Sequence, residues 1–403
     1  MKKERFLQRF LLCLCLVVLV LVAFPFLWSF GGQAADQEKT LKIGVVVPLT
    51  GMFAAGLRDI VDAIKPTADL MNKKGSVSVN GQRYLIELVI VDDQSSPAGA
   101  VAAVNKLIQD RIKFMIPPYF IPNVLAVSSL ANEAKIVSTK PMASGQEAVN
   151  PNTPYSFASS ALVYNTPVSY DYLKRHYPNA KRIAIVSPDD PGVNNWCKQA
   201  RSEMQKNGLE LVFDDRFKVA TEDFYPILTK ALEKKPDAID MIGVIEPWSA
   251  GIINQSRELG FKGPIFTSTG ILGDVNIVKG MVNPQYLNDI FHAEMDVLSP
   301  KMTPIVKDFR TIVERNAKKP LTTAHVTVLD AVYVLVQGIE KAQSLDADDV
   351  RRALEGMKNI DTVNGKGRMA GEDLFGINHV VRRPIAISGI SNGKVWCEFT
   401  NRD

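Results

Sequence analysis

The chain has 403 residues, 46% of them apolar and 22% charged, a composition that excludes a disordered chain and fits a globular protein with a real core. At about 150 residues per domain, the length predicts two or three domains. The formal net charge of +4 belongs to the start: residues 1–35 carry four positive charges and one negative, leaving +1 for the rest, which removes the electrostatic case for a nucleic-acid partner.

Lys2, Lys3, Arg5 and Arg9 precede an apolar run over residues 10–30, and the small residues Gly31, Gly32, Ala34 and Ala35 follow. Charge, then apolar run, then small residues is the order of an export signal cleaved after Ala34 or Ala35. The run is also long enough to stay in a bilayer as an anchor at residues 10–30, so a tethered form stays open. Cys13 and Cys15 each follow a leucine rather than a small residue, which argues against lipidation. The expected location is the periplasm, with membrane contact only through this segment or a membrane partner. Cys197 and Cys397 remain after cleavage, and their spacing does not predict a disulfide.

Residues 41–47 form an apolar β-branched run stopped by Pro48, suited to a parallel strand covered on both faces. A loop over 50–56 leads into a helical pattern with Ile60, Ile64, Ala68 and Met71 on one face, which Pro66 is expected to kink or interrupt. Asn80-Gly81 marks a turn before a strand over 84–92. A helix over 97–110 turns Val101, Val104 and Ile108 inward, and a strand at 114–116, a helix over 123–134 and a strand at 136–138 follow. Residues 151–166, rich in Pro, Ser, Thr and Asn, read as a crossing segment. The alternation then restarts, with strands at 182–187, 209–213, 238–244 and 264–267 and helices over 193–207, 224–235 and 247–259. Three helices (303–316, 322–342, 346–356), a strand over 384–390 and a turn at Asn392-Gly393 close the chain. Two successive runs of β-α units predict an α/β protein with two doubly wound parallel-sheet lobes.

Five segments in this order resemble the periplasmic leucine/isoleucine/valine-binding family of type I solute-binding proteins. They are Lys42–Gly51; Asp92–Pro97 with Lys106-Leu107-Ile108; Thr221–Phe224; Lys234–Ile239; and Asp330–Tyr333 with Gly338–Ala342. The resemblance implies the type I periplasmic-binding-protein fold, with the lobes joined by a three-stranded hinge. It divides the chain into a signal or anchor at 1–35, lobe one at 36–158 plus 295–365, and lobe two at 159–294 plus 366–403. It implies a small-molecule ligand in the interlobe cleft, delivered to the permease subunits of an ABC transporter, and no cofactor. A monomer is expected. The alternative, should the anchor be kept, is a membrane-tethered ligand-sensing domain that uses the same cleft.

Ligands of open α/β sheets sit at the carboxyl ends of strands and the N-termini of the following helices. By that rule Phe53 is a candidate cleft wall, with simple loop packing the plainer alternative. The family usually has a small hydroxyl residue near Pro122. Proline offers no N–H, so Tyr119, Phe120 or Asn123 is expected to line the cleft instead. Ser144, in a segment resembling the second ligand loop, falls where a hydroxyl would meet a ligand oxygen, unless it is a turn serine bonding its own backbone. In lobe two the aromatic residue expected to cover the ligand is replaced by Gly192, and Trp196 either supplies that area or packs in the core. Glu246 is a candidate partner for a ligand cation and Trp248 a candidate stacking face. Thr269 stands where amino-acid binders carry an acid for the α-ammonium. A buried ammonium needs a compensating charge. Unless Glu246 supplies it, the cleft suits an amide or an organic acid better than an ordinary α-amino acid.

An enzyme is the rival class. The four histidines (His176, His292, His325, His379) show no metal-ligand spacing, and phosphate-loop, nucleophile-elbow and zinc motifs are absent from the sequence. Asp92-Asp93 reads as helix capping rather than a catalytic pair.

Overall fold

The computed structural model describes residues 39–400 except 144, 147–148, 191–192, 220, 245–246, 270–274, 295–296, 299–301 and 318–319. The export segment with its candidate anchor, and the candidates Ser144 and Glu246, lie outside the described residues. Among the described residues, no helix is long and apolar enough to cross a membrane.

The first apolar run becomes β1 (Lys39–Val47), whose Val45, Val46 and Val47 are fully buried. Around it lie β2 (Val77–Val79), β3 (Gln82–Asp92), β4 (Phe114–Ile116), β5 (Val137–Lys140) and β6 (Ser156–Ala158). Three late strands, β12 (Ile360–Thr362), β13 (Gly365–Ala370) and β14 (Val380–Arg382), complete a nine-stranded sheet of order β12-β13-β14-β6-β5-β4-β1-β3-β2. The second sheet has seven strands, in the order β16-β15-β11-β10-β9-β7-β8. It comprises β7 (Arg182–Pro188), β8 (Glu210–Phe217), β9 (Ala238–Met241), β10 (Ile265–Thr267), β11 (Ile290–Glu294), β15 (Ala386–Ser391) and β16 (Lys394–Phe399). Both sheets lie in one compact unit from Thr40 onward.

The central strands of both sheets pair in parallel, and antiparallel pairs occur toward the edges. The Asn-Gly turns close the hairpins β2–β3 and β15–β16. Asn80, Gly81, Asn392 and Gly393 all have positive φ (49°, 79°, 51° and 69°), the geometry that two-residue hairpin turns require.

Helices cover both faces of each sheet. Against the first sheet, α1 (Arg58–Lys73), α9 (Pro304–Ala317), α10 (Thr323–Ala342) and α11 (Ala347–Glu355) share one core, while α2 (Pro97–Gln109) and α3 (Ile121–Glu133) build another. Against the second, α4 (Asn165–His176) and α5 (Asn194–Lys206) pack in one core, and α6 (Tyr225–Glu233), α7 (Trp248–Glu258) and α8 (Val275–Met281) in the other. The short α12 (Glu372–Phe375) precedes β14. The expected break at Pro66 is not there: α1 runs through it unbroken, with Pro66 buried. In α2, Ala100, Ala103 and Leu107 join Val104 on the buried face, whereas Val101 and Ile108 flank it half-buried.

The chain passes from one sheet to the other between β6 and β7, between β11 and β12, and between β14 and β15. The first two passages follow Ala158 and Glu294. The third lies later than residue 365. Val380 and Val381 are fully buried, and Val380 pairs in parallel with Ala158, so β13 and β14 extend the first sheet and only β15 and β16 join the second. At this passage Arg383 meets Asp330 of α10 at 3.1 Å, and Asn364 Nδ2 donates to the Pro384 carbonyl at 3.0 Å. Cys197 and Cys397 are not joined by a disulfide.

Candidate functional site

In the first sheet the strand order reverses direction between β1 and β4, and in the second between β7 and β9. Such switch points leave a crevice at the carboxyl ends of the strands, because successive connections turn to opposite sides. The loops following β1, β4, β5 and β7 contribute to a cavity of about 730 Å³. Its volume is suited to a small organic molecule.

The loop after β1 is held by carboxylates and hydroxyls from the end of β3. Asp92 accepts from the Leu49 and Thr50 amides at 2.9 and 3.3 Å and from the Thr50 hydroxyl at 2.6 Å. Burial raises the Asp92 pKa, but hydrogen bonds from Thr50, Gln94 and Leu49 outweigh it and hold the carboxyl below its ordinary value. Ser95 Oγ accepts from the Phe53 amide at 3.1 Å and donates to the Thr50 carbonyl at 2.8 Å. These bonds present the Phe53 ring to the cavity, stacked on Phe120 with centroids 3.8 Å apart.

The loop after β4 supplies Tyr119, Phe120 and, through the first turn of α3, Asn123. Asn123 is 2% exposed, and its Nδ2 donates to Asp93 Oδ2 at 2.9 Å. It therefore stiffens the wall while contributing to it. The Tyr119 hydroxyl lies 3.3 Å from that of Thr327, and burial pushes its pKa well above the ordinary phenol value. Trp196, in the first turn of α5, lines the cavity and also packs on the core of its own lobe. The two readings of Trp196 are compatible.

Asp92 and Asp93 staple loops; the N-cap of α2 is Ser96, which accepts from the Gly99 amide at 3.1 Å. Two expected residues are placed differently. Trp248 is not among the described walls of this cavity; its ring stands edge-on to Phe217 at 5.5 Å, against the lobe-two core. Thr269 is 0% exposed, with its hydroxyl 2.5 Å from that of Thr166 and its carbonyl accepting from Gly243. A family position had placed Thr269 in the cleft, but here its hydroxyl is bonded inside the lobe.

Sequence reading missed Lys140 and Asp190. Lys140 ends the otherwise apolar and hydroxyl-bearing β5, is 6% exposed, and donates to the Pro118 carbonyl at 3.2 Å while lining the cavity. Asp190, exposed at the end of β7, lines the lobe-two side. Among the described residues no cluster of His, Cys, Asp and Glu could hold a metal ion.

A family model described as periplasmic binding protein matches residues 40–394. The chain belongs to that family. This periplasmic binding protein is 25% identical over 332 residues to the Leu/Ile/Val-binding protein BraC3 of Rhizobium johnstonii, covering 81% of this chain and 86% of that one. Among solved structures, it resembles the substrate-binding protein LivJ of Streptococcus pneumoniae in complex with isoleucine. The two are 19% identical, with a TM-score of 0.71 and coverage of 90% of this chain and 99% of that one. It also resembles an ABC-transporter solute-binding protein of Rhodopseudomonas palustris in complex with 3,4-dihydroxybenzoic acid. There the identity is 20% and the TM-score 0.73, with coverage of 90% and 97%. These likenesses establish the two-lobed type I fold. The relatives are named for binding rather than for a reaction, in a family that works outside the cytoplasm.

Proposed function

We propose that this protein is the extracytoplasmic solute-binding component of an ABC uptake transporter, taking one small molecule into the interlobe cavity and presenting the closed form to a permease. The observation that carries this reading is the cavity itself, with Phe53 and Phe120 on one lobe and Trp196 on the other. Walls on two bodies joined by three chain passages make a closing cleft. Ligand contacts to both lobes favour the closed arrangement by the difference in affinity between the two states. Proteins of this fold are named as binding amino acids and aromatic acids, which supports a solute of that size.

The experiment is small-angle scattering and thermal melting of the exported chain against amino acids, amides, aliphatic acids and aromatic acids. A cargo molecule is expected to contract the radius of gyration and raise the melting temperature. At a hundredfold excess over Kd it adds about 2.7 kcal/mol to stability. A panel in which no member changes either quantity would count against the reading.

A further inference from the structure

We infer that the outer edge of β3 is a docking strand for a second copy of this chain, the two first sheets joining antiparallel into one. Strand β3 has 11 residues, but β2 covers only its beginning, where Gln82, Arg83 and Tyr84 pair with Val79, Ser78 and Val77. The two-residue Asn80-Gly81 turn makes Val79 and Gln82 a hydrogen-bonded pair, so the amides and carbonyls of the even-numbered residues point to this side. The side chain of Asn72 takes the next of them. Its Oδ1 accepts from the Ile86 amide at 2.8 Å, and its Nδ2 donates to the Ile86 carbonyl at 2.9 Å. Beyond that point nothing among the described residues pairs with Leu88 or Ile90 on the outer side, since β1 lies on the other flank.

An open row of main-chain donors and acceptors accepts another strand, and sheet edges are ordinarily blunted by charge, brevity, proline or irregular register. The other edges of this protein are blunted. Strand β12 has three residues. Strand β8 carries Glu210, Asp214, Asp215 and Arg216 and shifts register against β7 between Ile183 and Ala184. Strand β16 begins with Lys394 and carries Glu398. The open part of β3, by contrast, reads Leu88-Val89-Ile90-Val91, with Ile90 42% exposed. Val101 and Ile108 of α2 stay half-buried against the same core as Val89 and Val91, which widens the apolar margin.

The edge is complementary to itself. With a two-fold axis at Val89, Leu88 of each copy stands opposite Ile90 of the other and exchanges main-chain bonds with it, Val89 faces Val89, and Glu87 faces Val91. No like charges meet in this register, whereas an axis at Ile90 would set Glu87 against Asp93. Because the solute cavity lies at the carboxyl ends of the strands, the antiparallel union turns the two cavities away from each other. The dimer departs from the expected monomer and does not depend on the identity of the solute.

The test is sedimentation velocity of the full exported chain over a range of concentrations. The chain is expected to be dimeric at about 100 μM and to dissociate on dilution, as a small interface does. Ile90→Lys should weaken the dimer at least about tenfold and leave the circular dichroism of the monomer unchanged. On mild oxidation Val89→Cys should give a dimer whose disulfide maps by mass spectrometry to that position in both copies, because non-hydrogen-bonded partners stand close enough to bridge. Leu88→Cys, which faces Ile90, should not. In the wild type, dilution should speed deuterium exchange at the Leu88 and Ile90 amides. The inference is overturned if the wild type is monomeric at the highest concentration, if Ile90→Lys dimerises as well as the wild type, or if Leu88→Cys links and Val89→Cys does not. Exchange at Leu88 and Ile90 that ignores concentration overturns it even where a variant fails to fold.

Discussion

Replacing Arg383 with methionine tests whether the third passage between lobes is pinned to lobe one by charge. Arg383 is 5% exposed and Asp330 0% exposed; Arg383 Nη1 lies 3.1 Å from Asp330 Oδ2, close enough for an ion pair but not aligned as a hydrogen bond. Asp330 Oδ1 also accepts from the Val363 amide at 3.0 Å. Burial drives the Arg383 pKa down, and the neighbouring carboxylate pulls it part of the way back. Arg383→Met keeps much of the apolar stem but leaves Asp330 buried with one backbone donor and no positive charge. Breaking a buried pair from one side costs about 3–5 kcal/mol, whereas removing both charges is often close to neutral. The double variant Asp330→Asn with Arg383→Met keeps an acceptor for the Val363 amide, so it should recover at least about 2 kcal/mol of that loss. The assay is urea unfolding followed by tryptophan fluorescence, extrapolated to water. A loss below about 1 kcal/mol in Arg383→Met, or a double variant as unstable as the sum of the singles, would refute the reasoning.

Asp240 gives a pH-dependent prediction. It is fully buried on β9, and burial lifts its pKa to about 6 against hydrogen bonds from Ser268 and Tyr170. With an unfolded value near 4, the folded state holds the proton more tightly. This contribution to stability is therefore complete below about pH 4 and lost as pH rises through 6, a change of roughly 3 kcal/mol. Relative to Asp240→Asn, wild-type stability should fall by about that amount between pH 4 and 7.5; a pH-independent difference would contradict it. Phe53→Ala removes a half-buried wall ring whose stacking is worth about 0.5–1.5 kcal/mol. It should lower the melting temperature only slightly but weaken any solute that stabilises the wild type at least about tenfold by calorimetry.

Local chemistry made much of this fold readable. The two Asn-Gly pairs specify their hairpins because both need positive φ, and the buried valines of β1 have no comfortable place except inside a covered sheet. Strands β13 and β14 were not readable. Gly365–Ala370 alternates glycine with charge, and what makes it a strand is pairing with β14, itself held by a partner far back in the chain. The aromatic wall followed from the rule about strand ends, since Phe53, Tyr119 and Phe120 all stand just beyond strands. Thr269 came from a family position, and no local signal reports that its hydroxyl is turned toward Thr166. Lys140 escaped notice because Val-Ser-Thr-Lys reads as a strand emerging into water, when all four residues are buried.

The pairing of β6 with β14 has a consequence for how the chain can be made. Strand β6 leaves the ribosome well before its neighbour β14, with the strands β7 to β13 synthesised in between. No N-terminal fragment that stops short of Val380 contains the whole first sheet, and deleting the tail would strip that sheet of a flank rather than remove a separable module. The half begun first is finished only after five strands of the other have been made, so strand order itself postpones its completion.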